Sequence, residues 1–421
     1  MNSKTAKELL NANITKTMGC TDIGVVGYIA SLGAYALKDS KIRNVELVMS
    51  EELYKNSVNV GVPGLKKSGL DKALALGILL KKPDKKLAVF ESVTNDDIDK
   101  IEELLSEIDV SISHKKFDDT VLYEELTITS CKGDKVNIVI KDFYDNVVSV
   151  KRNGEALEDL QKDQLIQGIQ KYKISSYDEI LDYVEAGNYE GLEGLFEIAN
   201  FQYENARTEI KNEGGDFLIE DLKESQKECL YDLSNFLRKH ITVPSRKRMV
   251  GDIYTVYGVA GSGNLGIGTL VTPKFLAQAF NLNDYETKRL VVLSFLTSVY
   301  VKQEMSVVTV LCGTGHATGC SSAAVTAFLK GGSRQHIKEA INTYLATSMG
   351  FICDGAKLSC VHKVSFAAMN GMISGKMAVD NDAVCDGTGL NKLDVDQTIK
   401  NLGKLNNEIM NSANKGIIEL I

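Results

Sequence analysis

A change of hydrophobic period within the chain constrains the fold more than any other feature. From Glu158 to the end nearly every segment has helical spacing, and residues 4–38 also read as helix, broken near Gly19. Between these regions β-branched runs have strand character, at residues 110–114, 122–130 and 136–151. The pattern predicts an α+β fold, in which a mostly helical main domain, made of N-terminal helices packed with a C-terminal helical bundle, carries a small inserted α/β domain.

The length of 421 residues suits two to three domains. We expect residues 1–84 to form an N-terminal helical segment that joins the main domain. Residues 85–155 would form the inserted α+β domain, beginning with a strand at 87–90. Residues 156–421 would form the helical remainder of the main domain.

Composition and charge exclude several classes of protein. The net charge of −8 argues against a nucleic-acid-binding protein, which normally shows a basic patch. The longest apolar run, residues 24–37, is too short to span a bilayer, and residues 1–16 lack the apolar stretch of a secretory signal. We therefore expect a soluble, cytoplasmic protein without a nucleic-acid or membrane partner.

The chain contains eight cysteines, and in a reducing compartment these are buried small hydrophobes, ligands or nucleophiles rather than disulfides. Two neighbourhoods stand out. The first is Cys312-Gly313-Thr314-Gly315-His316, and the second is Cys353-Asp354-Gly355-Ala356-Lys357-Leu358-Ser359-Cys360.

The spacing of Cys353 and Cys360 carries geometric information. On one continuous helix they would lie about 10 Å apart along the axis, too far for both to ligate a compact cluster. Gly355 permits a turn with φ > 0 that lets both thiolates face one point. With Cys312, they would supply three thiolates from loops at helix ends, which suits an iron–sulfur cluster with one iron left open.

Two other interpretations of these cysteines stay open. They could be packing cysteines of a helical bundle. Alternatively Cys312, His316, Cys353 and Cys360 could form a structural zinc site, although the usual C-x₂₋₄-C spacing is absent.

Cys20 precedes an apolar helix, so its thiol should feel the positive end of the helix dipole. That position predicts a lowered pKa and a role as base, nucleophile or labile fourth ligand of the iron. The alternative is a cysteine buried where the helix meets the core.

Two glycine-rich turns could hold an anion such as a substrate carboxylate. Gly261-Ser262-Gly263-Asn264-Leu265-Gly266 follows a strand-like segment at 253–257 and matches G-x-G-x-x-G. A dinucleotide site also needs a second strand downstream, where the pattern predicts helices instead. Backbone amides of this turn, or of the turn from Asn59 to Gly64, can bind a carboxylate. Glycines placed for tight helix packing would look the same.

Taken together, these motifs resemble the L-cysteine desulfidase family, UPF0597, which is related to the α domain of iron–sulfur L-serine dehydratases. The resemblance covers essentially the whole chain. It is carried by Gly19-Cys20-Thr21-Asp22, Asn59-Val60-Gly61-Val62-Pro63-Gly64, Gly261-Ser262-Gly263-Asn264-Leu265-Gly266-Ile267, Cys312-Gly313 and Cys353-Asp354-Gly355-Ala356-Lys357-Leu358-Ser359-Cys360.

The resemblance implies an oxygen-labile [4Fe–4S] cluster on Cys312, Cys353 and Cys360, with Cys20 as the reactive base. It implies a lyase that converts L-cysteine to pyruvate, ammonia and sulfide. The substrate is then a small amino acid, and a homo-oligomer is compatible with the sequence. The candidate substrate-binding residues are Thr21, Asn59, Gly61, Gly261, Ser262, Gly263, Asn264 and Lys357.

The chain departs from the family pattern at several positions. Asp22-Ile23 stands where Glu-Pro is usual, Leu65-Lys66 replaces Thr-Gly after Gly64, and Val361-His362-Lys363 replaces Ala-Leu-Lys. The C-terminal cysteine that can cap the cluster in serine dehydratases has no counterpart before Ile421. The alternatives are therefore L-serine dehydratase, β-elimination from another small amino acid, and a non-catalytic zinc- or cluster-binding regulatory protein.

Overall fold

The computed structural model describes residues 1–164, 172–215, 217–384 and 387–421. Helices dominate this structure, and they accompany a six-stranded mixed sheet, so the predicted α+β class is confirmed. The helices are α1 Ser3–Asn13, α2 Thr21–Leu37, α3 Glu51–Ser57, α4 Leu70–Leu80, α5 Asn95–Glu107, α6 Glu158–Gln164, α7 Tyr177–Ala186, α8 Glu193–Asn212, α9 Glu224–Glu228, α10 Leu230–Val250, α11 Gly263–Ala279, α12 Asp284–Glu304, α13 Gly313–Leu329, α14 Arg334–Ser348, α15 Leu358–Val379, α16 Val395–Lys404 and α17 Ala413–Ile418.

The sheet has the order β3-β2-β4-β5-β6-β7, in which β2 and β3 are parallel and the other neighbours antiparallel. Alternate residues of β4 are buried, as the period of two requires when one face packs against helices. The strands are β1 Ile14–Met18, β2 Ile42–Ser50, β3 Asp109–Lys115, β4 Tyr123–Ser130, β5 Lys135–Lys141, β6 Val147–Arg152, β7 Glu155–Ala156 and β8 Thr255–Val259. Strands thus occur in all three predicted segments.

Two hydrophobic cores organise the described chain. One contains α1, α7, α8 and most of α10 to α16, so α1 packs with the C-terminal helices as expected. The other joins α2 and α4 to the buried face of the sheet. The sheet also takes in β2, which precedes residue 85, because its alternating residues Val45, Leu47 and Met49 face this second core.

Two local expectations differ from the structure. Residues 87–90 do not form a strand but lie in a 3₁₀ segment, Pro83–Ser92. The proline ring fixes φ at the start of this segment, and Lys86 within it has φ 46°, so the backbone is not extended. The first predicted helix also ends early. Its continuation is β1, which pairs antiparallel with β8 because Thr15 and Thr17 favour extended backbone.

Small residues bring the helices of the main core unusually close together. A Cβ on Gly371 of α15 would lie 2.3 Å from the carbonyl oxygen of Gly319 in α13. A Cβ on Gly319 itself would lie 1.9 Å from the ring of Tyr344 in α14. Glycine at these positions therefore fixes the spacing of three helices, two of which begin beside the cysteines discussed below.

Among the described helices, none has both the length and the apolar character needed to cross a bilayer.

Candidate active site

Four helices begin at one small cavity of about 90 Å³. Cys20 is the N-cap of α2, Ser262 of α11 and Cys312 of α13, while Cys360 lies in the first turn of α15. Helix N-termini present unpaired N–H groups and a partial positive charge. The cavity is therefore suited to thiolates, carboxylates and other anions.

Backbone pairing places Cys312 beside Cys353. The N–H of Cys312 donates to the carbonyl of Phe351 at 2.6 Å, and the N–H of Cys353 donates to the carbonyl of Val310 at 2.7 Å. The two segments thus form a short antiparallel bridge. Residues about forty apart in sequence are brought side by side without any contribution from the thiols.

The turn predicted between Cys353 and Cys360 is confirmed. Gly355 has φ 93°, and a Cβ there would lie 2.2 Å from the carbonyl oxygen of Lys55, so only glycine fits. The chain then enters α15, and the side chain of Cys360 returns to the same cavity as that of Cys353. Cys312, Cys353 and Cys360 accordingly line one cavity.

The donor set fits the cluster that the family implies. Burial raises the pKa of Cys312 to about 12 and that of Cys360 to about 11, so these thiols are protonated when free and release protons when they bind metal. No three His, Cys, Asp or Glu side chains of the described residues are grouped as around a single ion. Each cysteine of a cluster binds a different iron, so a cluster does not require that grouping.

His316 does not complete a zinc site in this arrangement. Its Nδ1 lies 2.8 Å from the carbonyl oxygen of Cys312, and its Nε2 lies 3.0 Å from that of Ser348. Both ring nitrogens therefore face backbone carbonyls. The ring is fully buried, and this burial lowers the pKa of His316. Its contact with the carbonyl of Cys312 holds the start of α13 in place.

Cys20 has a carboxylate as its partner. Its thiol donates to Oδ2 of Asp22 at 3.1 Å. Burial, and then the charge of Asp22, raises the pKa of Cys20 well above its ordinary value. The expectation of a lowered pKa was wrong, because desolvation and the nearby carboxylate outweigh the helix dipole. Cys20 is a thiol with a proton acceptor beside it.

Asp22 collects further hydrogen bonds from distant parts of the chain. The hydroxyl of Tyr144 donates to its Oδ1 at 2.8 Å, and the side-chain amide of Asn56 donates to the same oxygen at 3.4 Å. Tyr144 comes from the turn between β5 and β6, so the sheet contributes directly to the site. In the sequence, Asp22 is distinguished only as part of a family motif and as a departure from the family pattern. An acidic residue two positions after the candidate base was the signal that could have shown its role.

Five of the candidate substrate-binding residues lie at the cavity, and three do not. Asn59 is exposed, and Gly61 packs against the end of α10, where its N–H donates to the carbonyl of Met249. The Lys357 ammonium pairs with Asp354 at 2.5 Å, outside the cavity lining. Those that line it are Thr21, Gly261, Ser262, Gly263 and Asn264.

Three buried cations surround the cavity and were not anticipated from the sequence. Lys302 and Arg248 line it, and Lys55 lies directly behind Thr309. Burial lowers the pKa of Lys302 to about 8 and that of Arg248 to about 10, and it also lowers the pKa of Lys55. All three lie close enough to the cysteines for their charges to interact, so they would offset part of the negative charge of ligating thiolates.

A second, larger cavity of about 850 Å³ opens beside the first. None of the cysteines lines it, so the candidate ligands and Cys20 belong to the smaller cavity. Thr21, Tyr144, Gly261, Lys302 and Val307 line both cavities. The larger cavity is thus an approach from solvent to Cys20 and its neighbours.

Comparison with known proteins identifies the family of the chain. A family model described as the serine dehydratase alpha chain matches residues 84–419. A UPF0597 protein of Fervidobacterium nodosum is 29% identical over 402 residues, covering 94% of this chain and 91% of the relative. UPF0597 proteins of Caldanaerobacter subterraneus and Bacteroides fragilis are 29% and 26% identical, and each alignment covers 98% of this chain and at least 96% of the relative. The chain belongs to the serine dehydratase alpha chain family and is related over nearly its whole length to UPF0597 proteins.

Proposed function

We propose that this protein is a [4Fe–4S]-dependent lyase that converts L-cysteine to pyruvate, ammonia and sulfide by β-elimination. The observation that carries the proposal is the meeting of two groups in one cavity. Cys20 and Asp22 form a proton-transfer pair, and Cys312, Cys353 and Cys360 form a three-thiol ligand set. Family membership supports a lyase, and the substrate and the cluster are our inference.

Cys312, Cys353 and Cys360 would hold the cluster, which when bound supplies a Lewis acid for the leaving group of the substrate. The removal of the α-proton falls to Cys20 and Asp22. Asp22 accepts the thiol proton of Cys20, and the resulting thiolate takes the proton from Cα. The electron pair of that bond forms the Cα–Cβ double bond as sulfide departs, and water then hydrolyses the released aminoacrylate to pyruvate and ammonia.

The surrounding residues keep this pair in position. Tyr144 and Asn56 both donate to Oδ1 of Asp22, which leaves Oδ2 directed at the thiol of Cys20. Cys20, Asp22 and Tyr144 are all buried, so bulk water has little contact with the proton-transfer pair. A buried, oriented base of this kind is what abstraction of a weakly acidic α-proton requires.

The direct test supplies anaerobically reconstituted protein with L-cysteine and with L-serine in parallel, and follows sulfide and pyruvate. Equal amounts of sulfide and pyruvate from L-cysteine, with little pyruvate from L-serine, support the proposal. Pyruvate from L-serine alone identifies a serine dehydratase. No product from either amino acid, with the cluster intact, removes the proposal and points to a different substrate, for which the departure Asp22-Ile23 from the family pattern would be the mark.

A further inference from the structure

Arg248 lies at the end of α10 and is 1% exposed, yet it reaches the catalytic cavity. The helix stops at Gly251, which has φ 83°. The glycine-rich turn identified in the N-terminal half holds this end, because the N–H of Gly61 donates to Met249 and that of Gly64 donates to Gly251. The turn from Asn59 to Gly64, which we expected to bind the substrate, thus acts by positioning Arg248.

Residues of two family motifs accept hydrogen bonds from the guanidinium of Arg248. Its Nη1 donates to Oδ1 of Asn264 at 2.5 Å, and its Nη2 donates to the carbonyl of Gly19. A Cβ on Gly263 would lie 2.2 Å from Nη2 and 2.4 Å from Cζ. Gly263 is therefore required so that the guanidinium can lie flat against the start of α11.

The guanidinium retains donors that no described residue uses. Its Nε is buried without a hydrogen-bond partner, and among the described carboxylates none forms an ion pair with it. The charges of Cys20, Asp22 and Cys360 act on the guanidinium, but none of these groups accepts a hydrogen bond from Nε. A buried donor without an acceptor is costly, so it indicates that a further anion binds there. A planar guanidinium suits a carboxylate because both groups can pair through two parallel hydrogen bonds.

The other buried cations of the site are already engaged. The Lys302 ammonium donates to the carbonyls of Ser306 and Val307. The Lys55 ammonium donates to the carbonyl of Thr309 and to the side chain of Asn414. Each ammonium nitrogen thus has two acceptors, whereas among the described cations of this cavity Arg248 has a buried nitrogen, Nε, with no hydrogen-bond partner at all. The N–H groups that begin α11 lie beside it.

We propose that Arg248, together with the first N–H groups of α11, binds the α-carboxylate of the substrate. This inference rests on the proposed function in taking an amino acid as substrate. It replaces Lys357, whose ammonium is paired outside the cavity, as the carboxylate-binding residue. Specificity then depends on the carboxylate, and an amine that lacks it should bind poorly.

The test measures binding without turnover. Anaerobically reconstituted protein is titrated calorimetrically with L-alanine, which has no leaving group, and with ethylamine, which also lacks the carboxylate. We expect wild-type protein to bind L-alanine far better than ethylamine. Arg248→Gln should weaken L-alanine binding on the order of 10- to 100-fold. The affinity of Arg248→Lys should lie between those of the wild type and Arg248→Gln, since lysine keeps the charge without the planar pair of donors.

Arg246→Gln is the matched control, because Arg246 lies on the same helix and pairs with Glu213 at the surface. Iron content and the visible spectrum are recorded for every variant. If Arg248 only clamps Gly19 to Asn264, its variants lose iron and folding while the affinity of the intact fraction for L-alanine stays unchanged, and this result overturns the proposal. Wild-type protein that binds L-alanine no better than ethylamine overturns it without any variant.

The two proposals fail in different ways. Arg248-dependent binding of L-alanine by a protein that releases no sulfide from L-cysteine removes the proposed reaction and leaves the carboxylate site standing. Sulfide release whose KM for L-cysteine does not change in Arg248→Gln leaves the reaction standing and removes the carboxylate site.

Discussion

In the proposed reaction, Asp22 is the residue on which the proton chemistry depends. It accepts hydrogen bonds from Cys20, Tyr144 and Asn56, which come from three separate parts of the chain. Because burial keeps Cys20 protonated, the thiol needs an acceptor before it can serve as a base. An acidic side chain at this position is therefore part of the reaction and not only a helix cap.

Replacing Asp22 by asparagine should separate these two roles. The amide keeps the shape of the side chain but cannot take the thiol proton, so we expect turnover of L-cysteine to fall on the order of 10²- to 10⁴-fold with iron content unchanged. Steady-state sulfide release measures the effect. Asp39→Asn is the control, because Asp39 is fully exposed at the other end of α2. Undiminished turnover in Asp22→Asn would rule out Cys20 and Asp22 as the proton-transfer pair.

Glu124 is also a buried carboxyl, but its surroundings differ from those of Asp22. Neither of its oxygens has a hydrogen-bond partner among the described residues, and burial raises its pKa well above the ordinary value of 4.5. At pH values below the ordinary pKa of 4.5, Glu124 is protonated in both the folded and the unfolded chain, and no stability is lost. As the pH rises toward the folded-state pKa, the unfolded chain ionises first, so the folded state progressively loses stability.

Glu124→Gln should remove this loss. The unfolding temperatures of variant and wild type should lie closest at about pH 4, and the advantage of the variant should grow toward about pH 8. Thermal unfolding followed by circular dichroism across this range provides the measurement. Glu102→Gln on the exposed side of α5 is the control. A constant difference at all pH values would contradict an unpaired, buried Glu124.

At the scale of elements, the contact between α13 and α15 determines where the cysteines lie. Gly371 and Gly375 of α15 approach the backbone of α13, where a Cβ would lie 2.3 Å and 2.7 Å from carbonyl oxygens. Cys312 caps the first of these helices, and Cys360 lies in the first turn of the second. Close packing of the two helices therefore sets the separation of Cys312 and Cys360, two of the three proposed cluster ligands.

Gly371→Ala should destabilise the protein by about 1–3 kcal/mol, because the added methyl group meets backbone that cannot move independently. Gly194→Ala is the matched control, since Gly194 is also helical but has no atom within 4 Å of an added Cβ. We expect the control to be neutral or to gain about 0.4–1 kcal/mol. Chemical denaturation measures both, and equal effects in the two variants would contradict the close approach.

Across the whole molecule, the active site lies where the two cores meet. Tyr144 belongs to the sheet, Asp22 to α2, and Cys312 to the main helical bundle, yet all three line one cavity. The sheet is thus connected to the candidate site, because its β5–β6 turn supplies a hydrogen bond to Asp22. Whether the chain divides as 1–84, 85–155 and 156–421 stays a prediction.

Tyr144→Phe tests this connection. The ring remains to fill the space, and the hydrogen bond to Asp22 is lost, so we expect about a tenfold fall in kcat for L-cysteine with little change in unfolding temperature. Tyr35→Phe is the control, because Tyr35 is half exposed on the same core. An unchanged kcat would mean that the sheet does not contribute to catalysis.

The sequence predicted what depends on local pattern and left out what depends on distant contacts. Runs of β-branched residues predicted β3, β4 and the region 136–151, which the structure divides into β5 and β6. Gly355 predicted the turn that brings Cys360 back to Cys353. The role of Tyr144 could not be predicted, since it lies 122 residues from Asp22 and only the packed sheet brings the two together. The pKa of Cys20 was mispredicted for the same reason, because burial is a tertiary property and outweighs the helix dipole.

The central claim is that Cys312, Cys353 and Cys360 act as one cluster site. The most direct measurement is the iron and acid-labile sulfide content of anaerobically purified protein, for the wild type, Cys353→Ser and the core control Cys320→Ala. We predict about four irons and four sulfides in the wild type and the control, and severe loss of both in Cys353→Ser. Stoichiometric zinc in the wild type, or full iron in Cys353→Ser, would contradict the account.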